Sequence, residues 1–310
     1  MDRIEQTPAS ARAGAHGSAA AALRRLLRRP AMLVVPGAHD AIGARQIEQA
    51  GFEAVYMSGG ATSMAHGFPD FGLLDFGEMA ANALRMTRAI GVPLIADADT
   101  GYGNELNVTR TVREYEMRGV AGLHIEDQVS PKRCGHLEGK EVVPRVEFVS
   151  KIRAAVAARS DPDTVIIART DARAVLGIDE AVARANEALQ AGADLAFVEA
   201  MQTLDEVAAI PRRVQGPCLL NLVPGGKTPL DDLRVAESMG YRVTILPGAL
   251  LVPAIDAVDE ALKALRETGR VAGARSSIGQ IFRRFGAEEW DALRVRLNAG
   301  VPATEPEGRR

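Results

Sequence analysis

Eight short apolar runs recur along the chain: Met32–Val35, Ala54–Met57, Leu94–Ala96, Gly122–Ile125, Val165–Ala168, Leu195–Val198, Cys218–Leu220 and Val243–Leu246. Each is continuous instead of alternating, as expected of parallel strands buried on both faces. Between them lie longer stretches of helical pattern, and five runs follow a helix closed by a glycine: Gly51, Gly91, Gly119, Gly192 and Gly240. Ala19–Arg29 predicts a leading helix stopped by Pro30, and Asp40 opens a helix through Ala50, with Gly51 at its C′ position. Eight such βα units predict an α/β fold, a (β/α)8 TIM-type barrel, with a doubly wound open sheet as the alternative. Polar residues follow the strand ends so regularly that the barrel is preferred. Past the last strand, Val252–Thr268, Ser276–Phe285 and Glu288–Leu297 predict a C-terminal helical extension, jointed at Gly269–Arg275. Such helices need a surface to pack on, and a partner subunit could supply it. Residues 1–18 and 301–310 read as a disordered lead-in and tail around a single domain, 19–300.

Composition narrows the class. A chain of 310 residues, 47% hydrophobic, can bury one barrel and its additions. A net charge of −3 argues against a broad nucleic-acid surface. Cys134 and Cys218 are too few for a disulfide framework, and no apolar run approaches the roughly 20 residues of a membrane helix. Arg24, Arg25, Arg28 and Arg29 follow the first apolar stretch, which is the wrong order for a secretory signal. The expectation is a cytoplasmic protein with neither membrane nor nucleic-acid partner.

In a barrel, the chemistry belongs at the C-terminal strand ends. There the chain carries Tyr56 and Ser58-Gly59-Gly60, Asp97 and Asp99, Glu126 with Asp127, Arg169 and Asp171, Glu199, Asn221 and Pro247-Gly248. Asp97 and Asp99 are two apart, so on a strand they face one side, where a hard cation would neutralise them. The set suits a small anionic substrate with oxygen ligands for the metal, such as a 2-oxo or 2-hydroxy acid. Each residue also has a plainer reading. Asp97 and Asp99 could cap the next helix, Arg169 could pair structurally with Glu199, and Ser58–Gly60 and Asn221 could be turn residues. His124 and Cys218 read as core, and His39 and His66 are assigned nothing. Cys134, in the loop Lys132-Arg133-Cys134-Gly135-His136, has cations nearby to lower its pKa and a mobile neighbour. It could act as a general acid toward an enolate carbon.

Lys132–His136 resembles the lysine-[lysine or arginine]-cysteine-glycine-histidine signature of the isocitrate lyase/phosphoenolpyruvate mutase superfamily. Tyr56–Gly60, Asp97–Gly103, Ile125–Gln128 and Ala168–Ala172 are similar to its other blocks, in order, from about Val34 to Gly269. The resemblance implies a barrel whose eighth helix is swapped with a neighbour, usually in a homotetramer. It implies Mg2+, with Mn2+ as a substitute, bound directly by Asp97, with Asp70, Asp99 and Glu126 holding its waters. Ser58, Gly59, Gly60 and Arg169 would hold a carboxylate, with Tyr56 beside the reacting carbon. Lys132 to His136, with Arg133 and Gly135 touching substrate, would form a gating loop with Cys134 as acid. Glu199 and Asn221 would line the far side.

Within the superfamily the cysteine points to a carbon–carbon lyase. Leu246–Pro253 lacks the arginine that would pair with a third carboxylate. That implies cleavage of a 2-hydroxy dicarboxylate, of 2,3-dimethylmalate or alkylmalate type, to pyruvate and a second acid through an enolate. Cleavage of 2-methylisocitrate is the alternative, followed by oxaloacetate decarboxylation and phosphonate or carboxyphosphonate chemistry. A metabolite-binding protein without turnover is the reading from another class.

Overall fold

The computed structural model describes residues 17–271 and 273–299. The tail and all but the end of the lead-in expected from the sequence lie outside them. Eight parallel strands close into a barrel in sequence order: β1 (Leu33–Ala38), β2 (Val55–Met57), β3 (Leu94–Asp97), β4 (Gly122–Glu126), β5 (Val165–Thr170), β6 (Leu195–Val198), β7 (Cys218–Asn221) and β8 (Val243–Leu246). The open sheet is thereby excluded, because β1 pairs with β8 from Leu33–Val243 to Pro36–Leu246. Several strands run past the apolar stretch that announces them. Asp97, Glu126, Arg169 and Asn221 keep the ladder while pointing polar groups into the barrel mouth, so hydropathy falls before pairing ends.

Alternation sorts the core. Val35, Tyr56, Ile95, Ile167, Phe197, Leu219 and Ile245 fill the barrel, while Met57, Ala96, Ile125, Ile166 and Ala168 face surrounding helices. Cys218 faces outward and is buried, as core. Helix α1 (Ala19–Leu27) plugs the bottom: Leu23 and Leu26 join the interior cluster, and Arg24 reaches the carbonyls of Pro162, Asp163 and Thr164. Helices α2 (Ala41–Gln49), α3 (Gly59–Ala65), α4 (Phe76–Ala89), α5 (Glu105–Met117), α6 (Arg145–Ala158), α7 (Ala172–Leu176), α8 (Ile178–Gln190), α9 (Leu204–Arg213) and α10 (Leu233–Ser238) follow in order.

The strand that sends Glu126 inward sends Asp127 outward. Its carboxylate accepts from the Thr170 hydroxyl (2.6 Å), the Asp171 amide (2.8 Å) and Arg184 of α8 (3.1 Å). Asp127 therefore does not belong to the acidic cluster at the mouth. Arg184→Met would leave that anion buried without a counter-charge, a loss of about 3–5 kcal/mol. Thermal melting should fall by about 10 °C.

The chain divides into two compact units after Ile255. The second holds most of α11 (Leu251–Thr268), then α12 (Ile278–Arg284), with a Ser277–Gln280 capping box, and α13 (Ala287–Asn298). No side chain of these three helices is buried. Among the described residues, no helix is long and apolar enough to cross a membrane.

Candidate active site

Strand register sets the floor of the site. Asp97 on β3 lies opposite His124 on β4, and Glu126 on β4 lies opposite Arg169 on β5. Asp97 accepts the Asp99 amide (2.9 Å), the Gly59 amide (3.2 Å) and the Tyr56 hydroxyl (3.3 Å). Asp99 reaches the same place by a different route from strand alternation. β3 ends at Asp97, and Asp99 sits at φ +45, so a left-handed turn carries it there. The N-cap of α5 is Asn104, which removes the capping reading of both aspartates. Lys132 pairs with Asp70 and stands 3.1 Å from Asp99. Burial would raise the Asp97 carboxyl, but His124, Lys132 and Arg169 outweigh it and hold it at about 2. For Asp99 burial wins over Lys132, and the carboxyl is pushed up to about 6.

Arg169 is the hub of the opposite side. Its guanidinium lies 2.9 Å from Asp171, 3.1 Å from Glu126 and 3.5 Å from Glu199. It does pair with Glu199, as the plainer reading allowed, but as one of three carboxylates at the mouth. Glu199 also accepts the Ala200 amide (2.6 Å) and the Asn221 side chain (3.0 Å). His136 lies 3.4 Å from Glu199, and its Nδ1 accepts the Lys227 amide at 3.0 Å. That leaves the proton on Nε2 to face Glu199. Gly135 crosses so close that a Cβ would stand 2.6 Å from Arg169 Nη2 and 2.5 Å from Glu199 Cγ.

The structure changes the reading of His124. It is fully buried, but it is not a satisfied core histidine. Its Nε2 lies 2.8 Å from the Tyr56 hydroxyl and 3.6 Å from Asp97, while Nδ1 has no partner. Burial holds the ring neutral, with its pKa down at about 4, so the contact with Asp97 is not an ion pair at neutral pH. The signal was present in the sequence: His124 and Glu126 are two apart on one strand and share the inward face. Burial likewise raises the Tyr56 phenol far above its usual range. Ser58 is the N-cap of α3, accepting the Ala61 amide (3.2 Å), so Gly59 and Gly60 form that helix's first turn and not a plain loop. A Cβ on Gly59 would stand 2.4 Å from Asp97 Oδ2, so only glycine lets this turn approach the carboxylate.

The segment after β4 folds down over the mouth. The Cys134 amide donates to the Asp70 carbonyl (2.9 Å), and the Gln128 side chain clamps both backbone groups of Arg133 (2.8 and 3.0 Å). The Arg133 side chain is exposed and stacks over Phe71, 4.7 Å from its ring centroid, rather than facing the pocket. Cys134 also departs from expectation. Burial, reinforced by Asp70, raises its pKa despite Arg169, so it is a thiol and not an activated thiolate.

A divalent cation fits this set of donors. Among the described residues the buried Glu126 Oε1 has no partner, while Glu126 Oε2 and Asp99 Oδ1 each face one cation, Arg169 and Lys132, at 3.1 Å. With Asp97 and Asp70 they form an oxygen-only set of the kind Mg2+ prefers. Among the described residues, no three His, Cys, Asp or Glu side chains converge on one point.

A family model described as phosphoenolpyruvate phosphomutase matches residues 23–266. The chain belongs to that family. Within this phosphomutase family, the 2,3-dimethylmalate lyase of Eubacterium barkeri is 48% identical over 260 residues, 84% of this chain and 90% of its own. The 2-methylisocitrate lyase of Aeropyrum pernix is 42% identical over 247 residues, 80% of each chain. Oxaloacetate acetylhydrolase, solved with the inhibitor 3,3-difluorooxalacetate, has a TM-score of 0.87 at 40% identity, covering 93% of this chain and 99% of the other. Phosphonopyruvate hydrolase with oxalate and Mg2+ has a TM-score of 0.82 at 33% identity, covering 90% and 99%.

Proposed function

We propose that the chain is a Mg2+-dependent carbon–carbon lyase cleaving a 2-hydroxy dicarboxylate, of 2,3-dimethylmalate or alkylmalate type, to pyruvate and a second carboxylic acid. The substrate class is supported by the segment after β8, which in this reading forms a wall of the pocket: Leu246 to Val252 contains no cation. A third carboxylate at that wall would be buried without a partner, which is costly. Two carboxylates have hosts. Arg169 and the first turn of α3 would take one, and Asn221 and His136, which now face Glu199, would take the other.

Asp97 would hold Mg2+, with Mn2+ as a substitute, while Asp70, Asp99 and Glu126 face its waters. Bound there, the ion supplies positive charge beside the oxygen on C2. Glu126, 3.1 Å from Arg169 and with its affinity for a proton raised by burial, takes the proton of the C2 hydroxyl. The C2–C3 bond breaks, C2 becomes the carbonyl of pyruvate, and the electron pair moves to C3 as the enolate of the second acid. Cys134 delivers its proton to C3, and its raised pKa keeps that proton in place at neutral pH. Tyr56, held by His124, sits beside the breaking bond, and Lys132 balances the acidic side. Arg133 serves the loop through its backbone.

In this reading the enzyme is a homotetramer in which neighbours exchange their eighth helices, covering exposed apolar residues such as Val258, Leu262, Leu265 and Trp290. Its unpaired cysteines suit the cytoplasm.

Likeness to oxaloacetate acetylhydrolase favours hydrolysis of oxaloacetate as the second reading. One assay separates them: product release from 2,3-dimethylmalate, 2-methylisocitrate, isocitrate and oxaloacetate, each with Mg2+ and with EDTA. Pyruvate from dimethylmalate, lost with EDTA, is expected. Preference for 2-methylisocitrate would mean a cation reaches the third carboxylate. Oxalate and acetate from oxaloacetate, with no pyruvate from the others, would replace cleavage by hydrolysis.

A further inference from the structure

Lys140 takes no part in the chemistry above, yet its side chain is only 1% exposed. Its ammonium donates to the Gly135 carbonyl and lies 3.1 Å from Asp171 Oδ1. Asp171, itself fully buried, accepts Arg169 Nε on its other oxygen at 2.9 Å. One charged chain thus runs from the peptide beside Cys134, through Lys140 and Asp171, to the guanidinium that faces Glu126.

Several other anchors of this segment are neutral. Gln128 grips the Arg133 backbone, Cys134 binds a carbonyl, and Lys227 offers an amide to His136. Two further anchors are polar side chains: Lys132 holds Asp70 and Asp99, away from Arg169, and His136 lies 3.4 Å from Glu199, which stands 3.5 Å from Arg169. Lys140 is the anchor whose charge lies against Asp171, the carboxylate that accepts Arg169 Nε at 2.9 Å. If the segment lifts, Gly135 leaves and Asp171 Oδ1 loses its cation. The nearest replacement is Arg169 Nη2, already 3.4 Å from that oxygen. The guanidinium would turn toward Asp171 and away from the mouth.

We infer that Lys140 is a positioning residue that couples closure of the Cys134 segment to the orientation of Arg169 toward a bound carboxylate. The inference rests on the reading of the pocket as a 2-oxo acid site.

Full-length wild-type, Lys140→Met and Gln128→Ala proteins are compared, with oxalate and Mg2+ standing in for the 2-oxo acid product. Alkylation of Cys134 by iodoacetamide, followed by peptide mass, reads closure. Calorimetry reads oxalate affinity, and kcat and KM for 2,3-dimethylmalate are measured in parallel. In wild type, oxalate should slow alkylation. Lys140→Met should lose that protection and bind oxalate about 10- to 100-fold more weakly, with kcat falling by a similar factor. Gln128→Ala, lacking only a neutral anchor, should lose protection without the loss of oxalate affinity. Lys140→Gln is prepared alongside, in case the methionine variant does not fold. Wild-type protection and affinity in a Lys140 variant overturn the inference. So does a Lys140 variant with unchanged oxalate affinity, because Lys140 would then be a tether only. Wild-type Cys134 indifferent to oxalate would overturn the 2-oxo acid reading, and the coupling with it.

Discussion

Glu126→Gln should abolish turnover and, in the same molecule, raise the melting temperature of the metal-free protein. Both effects come from the burial of this carboxylate, whose neighbouring cation, Arg169 at 3.1 Å, is shared with Asp171 and Glu199. Burial, with Asp171 and Asp97 adding to it, raises its pKa well above the usual range, and Arg169 and Lys132 offset only part of this. An acid whose pKa is raised by folding favours the fold most when protonated. Its contribution is present below the unfolded value of 4.5 and is lost as pH rises toward the folded value. The amide carries no charge to desolvate, so the variant should gain about 1–3 kcal/mol at neutral pH. That corresponds to about 2–4 °C for each kcal/mol in a barrel of this size. Part of the wild type's loss of stability as pH rises above 4.5 should disappear with it. Turnover should fall by about a thousandfold or more, because the amide cannot take the hydroxyl proton. Calorimetry with and without EDTA, alongside the pyruvate assay, checks both halves. A variant that melts lower than wild type would show that Glu126 stabilises Arg169 more than its own burial costs.

Cys134→Ser should lower kcat by about 100- to 10,000-fold while leaving oxalate binding intact. Serine nearly matches the shape of cysteine, so the backbone bond to Asp70 survives, but a hydroxyl is a far weaker acid than a thiol. The thiol's raised pKa sets the pH sense of the wild type. The protonated form does the work, so kcat should hold through neutral pH and decline on the alkaline side. That alkaline limb should be missing in the variant. Retention of kcat within about threefold would transfer the acid role to another group, with the Tyr56 phenol as the next candidate.

Most of the strand-end chemistry was legible because a parallel barrel buries both faces of every strand and leaves polar residues only where strands end. Asp97, Glu126, Arg169, Glu199 and Asn221 stand out for that reason alone. The errors share a different cause. Asp99 was placed by strand alternation, but the strand had already ended. His124 was placed in the core because a lone histidine in an apolar run gives no sign that the barrel interior reaches the pocket. Cys134 was surrounded by cations in the sequence, yet in the fold Lys132 turns to Asp70 and Asp99, Arg133 turns out over Phe71, and burial decides the thiol.

Sequence by itself determined the eight strands, their order and the family signature at their ends, and favoured the barrel that the pairing of β1 with β8 then closed. These follow from local hydropathy and from spacing along one chain. Tertiary structure alone decided which carboxylate stays charged, which histidine faces Tyr56, and that Lys140 joins the loop to Arg169. A pKa and a buried ion pair depend on desolvation and on neighbours within a few ångströms. Those neighbours come from strands and loops far apart in the chain, and only closure of the barrel brings them together.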